Sequence, residues 1–206
     1  LTLRLVTDYA AVNVVFKREQ CAEQGQGGPE MKIAVLGSGD VGQVLGAGFV
    51  RFGHEVKMGS RNPRQEKIAA WLNTTGPRAS ASTFAEAAAF GELAVLATSW
   101  EGTESAIRLA DPKNLAGKPV IDATNPLDFS GGVPPKLAIG HTTSAGEQVQ
   151  RRLPTSKVVK ASNTVGNPHM VNPQFPGGPP DMFIWGTTRS NCCGSRGSGS
   201  ARLDEG

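Results

Sequence analysis

The stretch Met31-Lys32-Ile33-Ala34-Val35-Leu36-Gly37-Ser38-Gly39-Asp40-Val41-Gly42 decides the fold. Its apolar run ends at a glycine and gives way to Val41, Leu45 and Phe49 at helical spacing, so it reads as strand, tight turn and helix. Gly37, Gly39 and Gly42 fit the pattern G-x-G-x-x-G in the context that gives it meaning, between a strand and a helix. Gly37 permits the tight turn, Gly39 lets the backbone approach a pyrophosphate, and Gly42 allows the helix to press on the strand. The first amides of that helix then face the phosphates at the positive end of its dipole. Gly46, one turn on, allows closer packing still.

Working outward, Glu55 to Gly59 supplies a second strand, and Asn62-Pro63 predicts a second helix over 63–72, capped by the asparagine. A weak strand at 78–82 leads into an alanine-rich helix over 83–90. Further strands are expected at 93–97, 119–123, 157–161 and, last, 182–185, with helices at 103–109 and 144–153. Strands alternating with helices imply an α/β fold, a doubly wound parallel sheet covered on both faces. The dinucleotide-binding domain is assigned to residues 31–186. Residues 1–30 read as an N-terminal extension with Met31 as the natural start. Residues 187–206 hold four Gly, four Ser and three Arg but only Leu203 among large aliphatic residues, and are expected to form a disordered tail.

A chain of 206 residues holds one α/β domain, not two of full size. Its 38% hydrophobic and 19% charged residues mark it as globular. The net charge of +3 comes from scattered basic residues, which excludes an obligatory nucleic-acid or membrane partner and leaves a small anionic molecule as the expected one. No run of 18 apolar residues occurs, and a cytoplasmic location is expected. Cys21, Cys192 and Cys193 suit neither a disulfide framework nor a metal site.

The end of the second strand selects the dinucleotide. NAD enzymes carry an acid about 20 residues past the glycine turn to grip the ribose 2′-hydroxyl. Here Val56 to Gln65 has none and instead contains Ser60-Arg61-Asn62-Pro63-Arg64, where a hydroxyl and a guanidinium suit a 2′-phosphate. The expected cofactor is therefore NADP. Ser60 and Arg61 carry the phosphate, Arg61 also stacks on adenine, and Arg64 supports them.

The nicotinamide side should be lined by loops after later strands: Ala97-Thr98-Ser99-Trp100, Asp122-Ala123-Thr124-Asn125-Pro126-Leu127 and Ala161-Ser162-Asn163-Thr164. Small residues such as Ala97 and Thr98 admit a flat ring, and Asn125 and Asn163 can bond a carboxamide or carbonyl. Trp100 either borders the pocket or caps a core edge. No acid/base constellation stands out: Tyr9 lies outside the domain, His54 reads as a surface residue, and His141 and His169 fall in loops. Direct hydride exchange between two organic cofactors needs alignment and exclusion of water more than a protein proton donor.

Residues 31–186 resemble the NADP oxidoreductase family that depends on coenzyme F420, a 5-deazaflavin. The resemblance rests on Met31 to Gly42, on Ser60-Arg61-Asn62-Pro63, on Asp122-Ala123-Thr124-Asn125-Pro126 and on Val158-Val159-Lys160-Ala161-Ser162-Asn163-Thr164. It implies a Rossmann domain with a dinucleotide on the glycine turn. It also implies Ser60 and Arg61 on the 2′-phosphate, and a deazaflavin stacked near the nicotinamide against the loops of Asn125 and Asn163. The family's C-terminal helical part, which helps to close the site and build a homodimer, is not recognisable in this sequence. The leading expectation is an oxidoreductase passing hydride between NADP(H) and coenzyme F420 or a flavin. The alternatives are an NADP reductase of a small imine or keto acid, and a non-catalytic dinucleotide-binding module.

Overall fold

The computed structural model describes residues 30–140, 142–173, 175–176 and 184–186. The expected extension at 1–30 (apart from Glu30), the tail at 187–206, Tyr9, the three cysteines, His141, and the first half of the last strand (Met182 and Phe183) lie outside the described residues.

Strand β1 (Lys32–Leu36) runs into α1 (Asp40–Arg51), followed by β2 (Glu55–Gly59), α2 (Glu66–Thr75), β3 (Ala79–Ser82), α3 (Phe84–Phe90), β4 (Leu93–Leu96) and α4 (Trp100–Ala110). A 3₁₀ turn (Pro112–Leu115) then leads to β5 (Pro119–Asp122), a hairpin of β6 (Leu127–Asp128) and β7 (Lys136–Leu137), α5 (Ala145–Arg152), β8 (Lys157–Lys160), a second 3₁₀ turn (Asn167–His169) and β9 (Trp185–Gly186). The main sheet has the order β3-β2-β1-β4-β5-β8-β9. All its pairings are parallel except the last, where β9 runs antiparallel to β8.

Alternation along each strand divides the core in two. Ile33, Val35, Leu93, Val95, Ile121 and Val159 face one side, where Leu45 and Phe49 of α1 and Ile68 and Trp71 of α2 cover them. Ala34, Leu36, Ala94, Leu96, Val120 and Val158 face the other, under α3, α4 and Val149 of α5. Both faces are buried at the centre of the sheet, which is why β1 and β4 read as apolar runs. Gly46 sits where an added Cβ would lie 2.8 Å from the Trp71 ring, confirming the close packing expected of it.

Several expectations need correction. The sheet is not wholly parallel, because β9 closes its edge in the opposite sense. Helix α2 starts at Glu66, not Pro63: the Asn62 side chain accepts from the Arg64 amide at 3.3 Å, and this local turn spends the asparagine before it can cap a helix. Helix α4 starts at Trp100, three residues early. The β6–β7 hairpin was not foreseen, since two residues per strand are too few to show alternation. His54 is not on the surface. It is fully buried in the turn into β2, and its Nδ1 accepts from the Met31 amide at 3.3 Å.

Candidate functional site

The chain winds from β1 out to β3 on one side and from β4 out to β8 on the other, so the loops after β1 and β4 diverge and leave a crevice at the strand ends. Gly37 stands at its root with φ +129°, and a Cβ there would lie 2.3 Å from the Ala97 carbonyl oxygen, so both its backbone and its neighbour demand glycine. A Cβ on Gly42 would lie 2.2 Å from the Gly37 carbonyl oxygen; the helix presses on the turn itself more than on the strand. Gly39 differs. Its φ of −72° suits any residue, and a Cβ there meets nothing within 4 Å. The space in front of Gly39 is open, and no side chain caps the amides that begin α1.

This crevice, about 420 Å³, is lined among others by Gly37, Ser38, Gly39, Ser60, Arg61, Ala97 and Thr98. Those seven expected residues thus meet in one place, across the ends of β1, β2 and β4. Asp40, Val41 and Gly42 do not line it with side chains: the Asp40 carboxylate pairs with Lys67 at 2.9 Å, and Val41 packs on the first core layer. Arg64 is exposed and outside the lining.

Sequence reasoning missed Gln65, Phe84 and Leu109 in this crevice. Gln65 Nε2 donates to Ser38 Oγ at 3.0 Å and to Ser60 Oγ at 3.4 Å. Its only signal was position, one turn past Ser60. Leu109, a large apolar side chain 44% exposed on the outer side of α4, was detectable only from the structure.

Asn125 and Asn163 do not reach the first crevice. They tie the β5 and β8 loops together, Asn125 Nδ2 donating to the Asn163 carbonyl at 3.2 Å. Asn163 lines a second cleft of about 530 Å³, with Pro126, Ile139, Ser144, Lys160 and Trp185 among its walls. Ser162, at φ +62°, bends the chain just before it. The Asn163 Oδ1 is buried and has no hydrogen-bond partner among the described residues. Trp100 lines neither cleft and packs on the second core layer, so it caps a core edge. His169 is exposed and packs against the Phe175 ring at 4.9 Å.

Lys160 is 8% exposed and was overlooked as a site feature. Its ammonium pairs with the fully buried Asp122 carboxylate at 3.3 Å and donates to the carbonyls of Asp122 and Thr124. Burial pulls the lysine below its ordinary pKa, and the Asp122 charge offsets part of that. Lys160 acts as a staple between the ends of β5 and β8.

A glycine turn opening the first helix of a doubly wound sheet, with a crevice at the point where strand order reverses, defines a Rossmann dinucleotide-binding domain. Residues 32–126 match the family described as NADP oxidoreductase, coenzyme F420-dependent. A solved protein from Arthrobacter sp. FB24, provisionally named an F420-dependent NADP-reductase, is 41% identical; the match covers 78% of this chain and 76% of that one, at a TM-score of 0.73. A hypothetical protein of Sinorhizobium meliloti, 22% identical with 84% and 79% covered, shares the fold at a TM-score of 0.63. The metalloreductase STEAP3 of Rattus norvegicus is 34% identical over 137 residues, which is 65% of this chain. This chain spans only 25% of that curated relative's length. The chain belongs to the coenzyme F420-dependent NADP oxidoreductase family.

Proposed function

We propose that NADP(H) lies along the first crevice and exchanges hydride with a flat deazaflavin or flavin held in the second cleft. The observation that carries this reading is the convergence of Gly39, Ser38, Ser60 and Arg61 on one cavity, with open space in front of Gly39 and uncapped helix amides beside it. Those amides suit a pyrophosphate, and the hydroxyls with the Arg61 guanidinium suit a 2′-phosphate. No acid stands between Val56 and Gln65 to favour a bare ribose hydroxyl.

The second cleft fits a flat polycyclic ligand. Its walls combine Pro126, Ile139, Val158 and Trp185 with a few polar groups, and the unpartnered Asn163 Oδ1 offers an acceptor for a ring N–H or carboxamide. When bound, a deazaflavin or flavin supplies a ring that takes up or releases hydride. The protein orients and shields: the Lys160 staple and the Asn125–Asn163 bond hold the two loops together. No proton donor is required of it. Reduction of an imine or keto acid, by contrast, calls for a proton at the substrate.

The test is turnover. Purified protein with NADPH and coenzyme F420, or with a free flavin, is expected to lose reduced-nicotinamide absorbance at a rate proportional to enzyme. Turnover with a simple imine or keto acid, and none with either flat acceptor, would overturn the acceptor assignment.

A further inference from the structure

We infer that Gln65 sets the preference for NADP over NAD, by fixing the Ser38 hydroxyl as a hydrogen-bond donor free for the crevice. This rests on the proposal that the 2′-phosphate lies at Ser60 and Arg61. A serine hydroxyl has two lone pairs and one proton. Ser60 Oγ accepts from the Asn62 amide at 3.3 Å and from Gln65 Nε2 at 3.4 Å, so both its lone pairs are engaged. The contact between Ser60 Oγ and Ser38 Oγ, 3.4 Å long, must therefore run from Ser60 to Ser38. Ser38 Oγ also accepts from Gln65 Nε2 at 3.0 Å, which fills its own lone pairs. Its proton is left to point elsewhere, and Ser38, Ser60 and Gln65 all line the crevice.

The two hydroxyls thus have one proton left to offer, that of Ser38, and no lone pairs to spare. A phosphate, which only accepts near neutral pH, satisfies them; a ribose hydroxyl, which also needs an acceptor, does not. Gln65 is a positioning residue here. The side-chain amide makes no capping bond to α2, so replacing it removes the hydroxyl bonds and leaves the helix start as it was.

The test compares dissociation constants for NADPH and NADH in the full chain, in Gln65→Met, in Gln65→Glu and in Arg61→Ala, with thermal melting as a check on folding. Gln65→Met keeps the length and removes the donor. It is expected to weaken NADPH about three- to tenfold while leaving NADH unchanged, because a merely structural loss weakens both alike. Gln65→Glu, which accepts the serine protons and adds a negative charge, is expected to abolish or invert the preference. A ratio that falls in Arg61→Ala but holds in Gln65→Met overturns the inference about Gln65 alone. A ratio that Arg61→Ala leaves untouched overturns the phosphate assignment beneath it, and the inference with it.

Discussion

At the scale of single residues, the two front glycines of the turn separate structure from ligand. Gly37→Ala forces a Cβ within 2.3 Å of the Ala97 carbonyl at a φ of +129°, and is expected to destabilise the fold by about 2 kcal/mol or more in urea unfolding. Gly39→Ala adds a Cβ to open space, so its unfolding midpoint should match the parent while affinity for the dinucleotide falls at least tenfold, about 1.4 kcal/mol. Equal affinity in parent and Gly39→Ala would remove the pyrophosphate from this turn. Lys160→Met leaves the Asp122 carboxylate buried without its counter-charge, and is expected to lose about 3–5 kcal/mol; the further change Asp122→Asn should recover much of it. The glycine turn was legible because its spacing between a strand and a helix lies within a dozen residues, although the Ala97 carbonyl that crowds Gly37 does not. Gln65 and Lys160 were not, because what defines them is a hydroxyl across the crevice and a carboxylate on a neighbouring strand.

At the scale of elements, two helices carry full capping boxes. Thr83 and Glu86 close the start of α3, and Ser144 and Glu147 close the start of α5, where Ser144 and Glu147 also border the second cleft. Bonds from the Ser144 backbone amide and then the Thr143 hydroxyl hold the Glu147 carboxyl below its usual pKa; the Thr83 amide and hydroxyl do the same for Glu86. A carboxylate with a depressed folded pKa stabilises fully above its unfolded value near 4.3, and the benefit is lost as pH falls through the folded value. Thermal stability should therefore drop as pH falls below about 4.3, and Glu147→Gln should flatten that part of the profile. An unchanged slope in the variant would show that the box contributes nothing. Strands buried on both faces, such as β1 and β4, announced themselves as apolar runs. The two-residue strands β6 and β7 carry no periodicity, and the start of α2 was misplaced because Asn62 serves a turn and not a cap.

For the whole molecule, the reversal of strand order beside β1 creates the crevice, and the outer strands β5 and β8 carry the second cleft. A ligand that binds the native state alone stabilises it by mass action, about 2.7 kcal/mol at a hundred times its dissociation constant. NADPH should accordingly raise the melting temperature at concentrations where NADH does not. This architecture was the most legible level of all, since alternating strands and helices fix it without reference to any single contact. The division of labour between the clefts was not legible, because the sequence placed Asn125 and Asn163 on the nicotinamide side without showing that they bond to each other.

The most direct measurement is a calorimetric titration of the intact chain and of Arg61→Ala with NADPH and NADH. The parent should bind NADPH at least tenfold more tightly than NADH, and loss of the guanidinium should close most of that gap. Equal affinities for both coenzymes in the parent would contradict a 2′-phosphate site between Ser60 and Arg61.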